Sequence, residues 1–555
     1  MTLTEFARNA NSVNVTEILP IQFKGDFFMT KFVSFSSLAI ALFASHAVAA
    51  VPCETLSTLS LPNTTITMAQ VVAAGQFVAP VAPGRGARAG GRGAEANAAN
   101  PAGANANDAA PARGGGGRGG NPYLNLPAFC RIAATLKPSS DSEIKIEVWM
   151  PLSGWNNKLL AVGNGAWAGS ISYNAMAPGL AAGYATTSTD TGHTGGQAAT
   201  FVDRPEKVID FAYRAVHEMN VSAKAISAAF YGGGPRLSYF QGCSTGGRQA
   251  LTAAQRYPLD FDGIIGGATA VNASRLHGTQ VWSAQQAHRD DASLIPMNKY
   301  AAIHDAVLKA CDALDGVTDR VIDNPRQCRF DPNILLCRDG DSATCLTAAQ
   351  VETVKRVYAG PGLFPGYEYG SEGGWNGTLA NPVGIANDMY RYLVFNNPNW
   401  DYKTLDIEKD VPLFDKTIGA TMNSSDTNLK PFFDHGGKLL MYHGWADPGI
   451  PAGNSVEYYT KVVKGIGGES RASNSIRLFM LPGVGHCGGG DGPSTFDSLG
   501  ALDKWRDQAM APDSIQASHS TNGVVDRTRP LCPYPQVARY KGTGDTNVAS
   551  NFSCK

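Results

Sequence analysis

Gly242-Cys243-Ser244-Thr245-Gly246-Gly247 decides how this chain is read. The run before it, Leu237-Ser238-Tyr239-Phe240, is apolar and aromatic and predicts a buried strand. The run after it, from Arg248 to Arg256, is rich in good helix formers, and Pro258 closes it. A strand, a tight Gly-x-Ser-x-Gly turn and a helix form the setting of a nucleophile elbow. Large side chains cannot flank so sharp a turn, and the serine oxygen is held out at the helix N-terminus. The amide of Thr245 then points at any oxyanion formed beside Ser244.

Strands alternating with helices surround the elbow. Ile144–Pro151 alternates like a half-exposed strand, and Lys158–Gly163 and Tyr184–Asp190 read as short strands ending in polar or glycine-rich loops. Residues 204–229 carry helical spacing, and Ile264–Ala268 reads as the next strand. This predicts an α/β fold with a mostly parallel sheet between helices. The pattern breaks over residues 271–427 and returns at Lys438–His443 and Arg477–Leu481. The expected organisation is thus an α/β domain in two parts, 51–270 and 428–555, with a large domain, 271–427, inserted between them as a lid.

Two late strands end in Gly444-Trp445-Ala446-Asp447-Pro448 and Gly485-His486-Cys487. In an open α/β sheet, sites lie beyond the carboxyl ends of the strands. Ser244, Asp447 and His486 all fall there, in the order nucleophile, acid, histidine found in α/β-hydrolases. They are the candidate triad, with His486 as general base and Asp447 fixing its tautomer. His193 precedes the serine and is the weaker candidate base. His443 lies within a strand and is read as a packed, hydrogen-bonded residue, and Asp262 as a turn residue. Cys243 precedes Ser244 and Cys487 follows His486. A bond between them would tie nucleophile loop to base loop; the other reading is two separate buried thiols.

The bulk properties narrow the class. A net charge of −1 over 555 residues, with no basic run, predicts no nucleic-acid partner. Ten cysteines with no Cys-x-x-Cys pair suit disulfides in an oxidising compartment. From Met29 a lysine, a short apolar core and Ala47-Val48-Ala49 read as a signal peptide, too short for a membrane span. Residues 1–28 read as an upstream extension, so that 1–50 are removed and the product is secreted or periplasmic. Residues 83–121 are almost all Gly, Ala, Asn, Pro and Arg and read as a low-complexity insertion.

The elbow, Gly-Trp-Ala-Asp and Gly-Val-Gly-His-Cys together resemble the tannase and feruloyl esterase family, which includes hydrolases of mono(hydroxyethyl) terephthalate. The likeness runs from Cys53 to Cys554 apart from the insertion. It implies an α/β-hydrolase domain, a lid, and hydrolysis of small-molecule esters of aromatic acids such as gallate, ferulate, hydroxybenzoate or terephthalate monoesters. It carries the triad onto Ser244, Asp447 and His486. It carries the oxyanion donors onto the amides of Thr245 and Gly165, with Gly163 as the alternative. It implies the pairs Cys53–Cys130, Cys243–Cys487, Cys311–Cys328, Cys337–Cys345 and Cys532–Cys554.

Three acids at short spacing around a glycine, Asp312, Asp315 and Asp319, read either as oxygen ligands for a hard cation, though not with EF-hand spacing, or as a solvated turn. The resemblance makes this a structural Ca2+ site, with the carbonyls of Val317 and Val321 completing it. It also suggests Trp375 and Phe395 as pocket walls. Arg391, four residues before Phe395, would share its helix face and offer a cation to a distal carboxylate or phenolate. No organic cofactor is expected. Two other readings remain at this level: an acyltransferase using the same triad, and an inactive, calcium-stabilised binding protein.

Overall fold

The strand that carries the elbow lies in the middle of a nine-stranded sheet. In this computed structural model the described residues are 51–80 and 121–555, so the expected signal peptide and nearly all of the low-complexity insertion lie outside them. The strands are β1 (Thr64–Val72), β2 (Phe129–Leu136), β3 (Ile144–Pro151), β4 (Lys158–Val162), β5 (Ala185–Thr189), β6 (Leu237–Cys243), β7 (Gly263–Gly267), β8 (Lys438–Gly444) and β9 (Ile476–Leu481). Their order is β1-β2-β3-β5-β4-β6-β7-β8-β9. Neighbours from β5 through β9 run parallel. The β1–β2, β2–β3 and β3–β5 pairs are antiparallel. The sheet is therefore mixed, with an antiparallel edge on the parallel core that the sequence predicts.

The central strands are apolar on both faces because both faces are covered. Phe240, Ile264, Met441 and Leu478 enter one core cluster. Their sequence neighbours Tyr239, Ile265, Leu440 and Phe479 enter the other. The alternation puts successive side chains on opposite faces, and a helix such as Ala215–Tyr231 covers one of them.

Between β7 and β8 the chain makes a long excursion built of helices, the longest being Ala273–Ala287, Tyr300–Cys311 and Ala348–Ala359. It has its own apolar clusters, one around Tyr390, Phe414 and Trp400 and another around Trp375, Val354 and Ile303. The C-terminal part adds a three-stranded sheet, β10 (Thr495–Phe496), β11 (Ile515–Thr521) and β12 (Val524–Leu531), and a pair, β13 (Ala538–Tyr540) with β14 (Phe552–Cys554). Neither was read from the sequence. β12 is mostly half-buried or exposed and carries Arg527 and Arg529, so apolar periodicity does not mark it.

All ten cysteines are bonded, in the five pairs that the resemblance implies. Cys53–Cys130 joins the short helical turn before β1 to β2 and spans the low-complexity stretch.

Candidate active site

The elbow is held open by missing side chains. Ser244 sits at φ 64°, ψ −120°, a strained conformation that the surrounding turn must impose. A Cβ on Gly242 would lie 2.6 Å from the backbone of Gly246. One on Gly247 would lie 2.3 Å from the carbonyl oxygen of Gly267. The glycines let β6 and the helix Thr245–Arg256 meet closely, and the Ser244 amide donates to the Gly267 carbonyl at 3.0 Å. The helix begins at Thr245, so its first amides face the side where Ser244 projects.

Asp447 and His486 come from the loops after β8 and β9. Asp447 is 1% exposed. Its Oδ1 accepts from the amides of Gly449 at 2.7 Å and Ile450 at 2.9 Å. Its Oδ2 lies 2.8 Å from His486 Nδ1. Burial works against the carboxylate, but the His486 charge and the hydrogen bonds of His443 and His486 outweigh it and hold the carboxyl well below the usual range. For His486 burial lowers the pKa, but the charge and hydrogen bond of Asp447 together outweigh it, and the net shift is upward. The His486 side chain is 36% exposed, so the base is open to a reactant. Cys243 and Cys487 are bonded with their Cα atoms 6.0 Å apart, which joins the elbow to the His486 loop.

The glycine-rich loop after β4 reaches the same place. Gly163 donates its amide to the Gln241 carbonyl at 2.9 Å, so that N–H belongs to the sheet. Gly165 has nothing within 4 Å of a would-be Cβ and stands in open space. The Thr245 hydroxyl donates to the Ala166 carbonyl at 3.2 Å and ties the two loops together. His193 holds this loop from behind: its Nε2 lies 2.6 Å from the Trp167 carbonyl, and burial lowers its pKa.

His443, which the sequence suggested only as a packed residue, is fully buried with Nε2 3.1 Å from Asp447 Oδ2. Gln280, from the excursion, donates to the Gly449 carbonyl at 2.7 Å and braces the acid loop. Neither role has a local sequence signal beyond the four-residue spacing of His443 and Asp447 around a turn.

Trp375 is fully buried, its indole N–H donating to Ser371 Oγ at 3.0 Å and its ring against Tyr358. Arg391 and Phe395 do not lie on a regular α-helix. Met389–Val394 is a wide π-type turn in which the Phe395 amide donates to the Tyr390 carbonyl at 2.9 Å, a step of five residues rather than four. The Phe395 ring packs on Trp400 and shares a cluster with Trp167 of the glycine-rich loop. A cavity of about 430 Å3 is lined by Gly485 and His486, by Trp445 and Pro448 of the acid loop, and by His304 and Ser371 of the excursion. In it His304 bonds Glu372 at 2.8 Å and faces Asp491 at 4.0 Å. Burial opposes its charge, but these two carboxylates push its pKa up to about 9.

The aspartates of the metal-type loop lie near enough for Asp315 to feel the charges of Asp319 and Asp312. Asp312 accepts from the amides of Asp319 and Arg320, Asp315 from Val317, and Asp319 from Val321. Burial, then the like charges of Asp319 and Asp312, push the Asp315 carboxyl up to about 6, against its hydrogen bond from Val317. Asp323 beside them is 9% exposed, and its buried Oδ2 has no hydrogen-bond partner. The donors are all oxygens, the type a hard divalent cation takes, but no three of these carboxylates converge within the 4.8 Å that the ligands of one ion span. Asp319 also pairs with Arg529 at 2.5 Å, linking the loop to β12.

A family model described as tannase and feruloyl esterase matches residues 130–555. The chain belongs to that family. An uncharacterized esterase of Xanthomonas campestris pv. campestris is 35% identical, the match covering 93% of each chain. A probable feruloyl esterase B-1 of Aspergillus oryzae is 34% identical over 78% of this chain and 85% of its own. Among solved structures, feruloyl esterase B from Aspergillus oryzae superposes with a TM-score of 0.80 at 30% identity, covering 91% of this chain and 99% of that one. Tannin acyl hydrolase from Aspergillus niger shares the fold, with a TM-score of 0.70 at 20% identity, covering 91% of this chain and 93% of that one. The fold is that of the α/β-hydrolases, and this member of the family is a carboxylic ester hydrolase. No helix among the described residues is long and apolar enough to cross a membrane.

Proposed function

We propose that this esterase hydrolyses esters of aromatic acids through an acyl-enzyme on Ser244. The observation that carries the reading is the buried Asp447 bonded to His486, with the disulfide Cys243–Cys487 holding His486 beside a strained elbow serine. His486 takes the Ser244 proton as the hydroxyl attacks the ester carbonyl, and gives it to the departing alcohol. The amides of Thr245 and Gly165 receive the oxyanion; that of Gly163 is committed to β6. Water then attacks the acyl-enzyme with His486 again as base, releasing the acid.

The aromatic acid is supported by the names of the relatives and by the ring cluster joining Trp167 to Phe395. In this reading the excursion between β7 and β8 is a lid. Phe395 and Arg391 face the acyl group, and Trp375 stiffens the lid from within. In this reading Asp312, Asp315 and Asp319, with the Val317 and Val321 carbonyls, would hold a Ca2+ ion, which when bound would balance the charge of this acidic loop. Five disulfides favour an oxidising compartment, secreted or periplasmic.

The test is acid release from methyl gallate, methyl ferulate, methyl 4-hydroxybenzoate and mono(hydroxyethyl) terephthalate, with Ser244→Ala in parallel. Turnover of at least one ester that disappears in the variant is the expected result. A variant with the wild-type rate, or no turnover of any aromatic ester by an enzyme that cleaves aliphatic esters, overturns it.

A further inference from the structure

Asp447 Oδ2 receives two imidazoles, where a catalytic triad calls for one. His486 Nδ1 lies at 2.8 Å and His443 Nε2 at 3.1 Å. We infer that His443 is a positioning residue of this esterase, its Nε2–H setting the charge of Asp447 that His486 feels.

The direction of the bond follows from its surroundings. His443 Nε2 faces two acceptors, Asp447 Oδ2 and the Ile450 carbonyl at 3.2 Å, so it carries the hydrogen. His443 Nδ1 lies 2.8 Å from Ser455 Oγ, which lies 2.8 Å from Thr269 Oγ1. Thr269 in turn accepts from the Asn454 side-chain amide through its carbonyl. A chain of hydrogen bonds thus runs from the end of β7 through the helix Gly453–Gly465 and β8 to the base after β9. Every member before His486 is buried, so water does not substitute for a missing partner. The ionisable groups around His443 are Asp447, His486 beyond it, and Tyr367, which packs near the same carboxylate.

The geometry separates this role from simple packing. Asp447 Oδ1 is held independently by the Gly449 and Ile450 amides. The carboxylate therefore keeps its place without His443, and what is lost is a donor on Oδ2. That donor's positive end offsets part of the carboxylate charge. Without it Asp447 holds the His486 proton more tightly, so less of the free base is present near neutral pH.

The inference rests on His486 serving Ser244, so loss of turnover in Ser244→Ala is established first on the chosen ester. His443→Gln, His443→Asn and His443→Phe are then compared by kcat, KM and pH profile, with thermal melting as the folding control. Gln carries an N–H near the place of Nε2, whereas Asn carries one only near Nδ1. The expected result, at one fixed pH on the acidic limb, is a kcat about ten- to a hundredfold lower in Asn and Phe, the weight of a hydrogen bond to a charged group. KM stays about constant, the acidic limb moves to higher pH, and Gln recovers most of both. Folded variants with wild-type kcat and an unmoved limb overturn the inference. If the Phe variant does not fold, equal losses in Gln and Asn overturn it. A wild-type rate in Ser244→Ala would instead sink the underlying esterase reading.

Discussion

Cys243 and Cys487 are bonded across 244 positions of sequence, each adjacent to a residue of the candidate triad. The bond closes a loop that contains the whole excursion between β7 and β8. It also ties the loop that carries Ser244 to the loop that carries His486.

Replacing both cysteines by serine therefore costs activity as well as stability. A loop this long is worth about 5.5 kcal/mol by the chain-entropy model. The sharper expectation is catalytic. At a temperature where the double variant is still folded, kcat falls on the order of 10²-fold, as for a misplacement of about 1 Å. Thermal melting and kcat measured together separate the two effects. A variant that melts earlier yet keeps its kcat would make the bond a structural staple only.

Gly242→Ala tests the elbow itself. The new methyl would meet the Gly246 backbone at 2.6 Å, and backbone on both sides must move. Overpacking of this kind costs about 1–3 kcal/mol, and here it displaces Ser244 from its φ of 64°. The expected outcome is a folded protein with a lower melting temperature and a large loss of fluorophosphonate labelling at Ser244. Labelling at the wild-type rate counts against a rigid elbow.

What was legible in the sequence were features with a short-range cause. Gly242, Gly246 and Gly247 mark the elbow because a close backbone crossing forbids side chains. Leu439–Tyr442 and Leu478–Leu481 mark strands because both faces are buried. Asp447 and His486 stand out as polar residues placed just after those strands. The misses have long-range causes. His443 gains its partner only when the loop after β8 folds back. The π-type turn at Met389–Val394 obeys packing against Tyr390 and Trp400, which no local period reports. The arginines of β12 look like surface charge until Asp319 is brought to them.

Removal of divalent cations should expose the loop at Asp312–Val321. Dialysis against a chelator is expected to lower the melting temperature, and added Ca2+ to restore it. A cation at a hundred times its Kd stabilises by about 2.7 kcal/mol. Asp315→Asn, which takes one carboxylate from the cluster, is expected to weaken or abolish the Ca2+ response. Turnover at 25 °C changes little, since the loop is outside the triad. A melting curve indifferent to chelator and to Ca2+ rejects the site.

His304 gives the protein a weakness at alkaline pH. It is the excursion's partner for Glu372 and for Asp491, on the segment that follows His486. Its folded pKa, about 9, lies above the unfolded value of 6.5. A group raised in this way stabilises the fold fully below the unfolded pKa, and that stability is lost as pH rises through the folded pKa. The window is therefore about pH 6.5 to 9, with the loss complete above it. In wild type the melting temperature should fall across that window as the imidazolium gives up its proton between Glu372 and Asp491. His304→Gln cannot titrate, so it should melt lower at pH 6 and show a flatter profile from there to pH 9. Parallel profiles for the two proteins would show that the contact between the excursion and the His486 loop does not depend on the charge of His304.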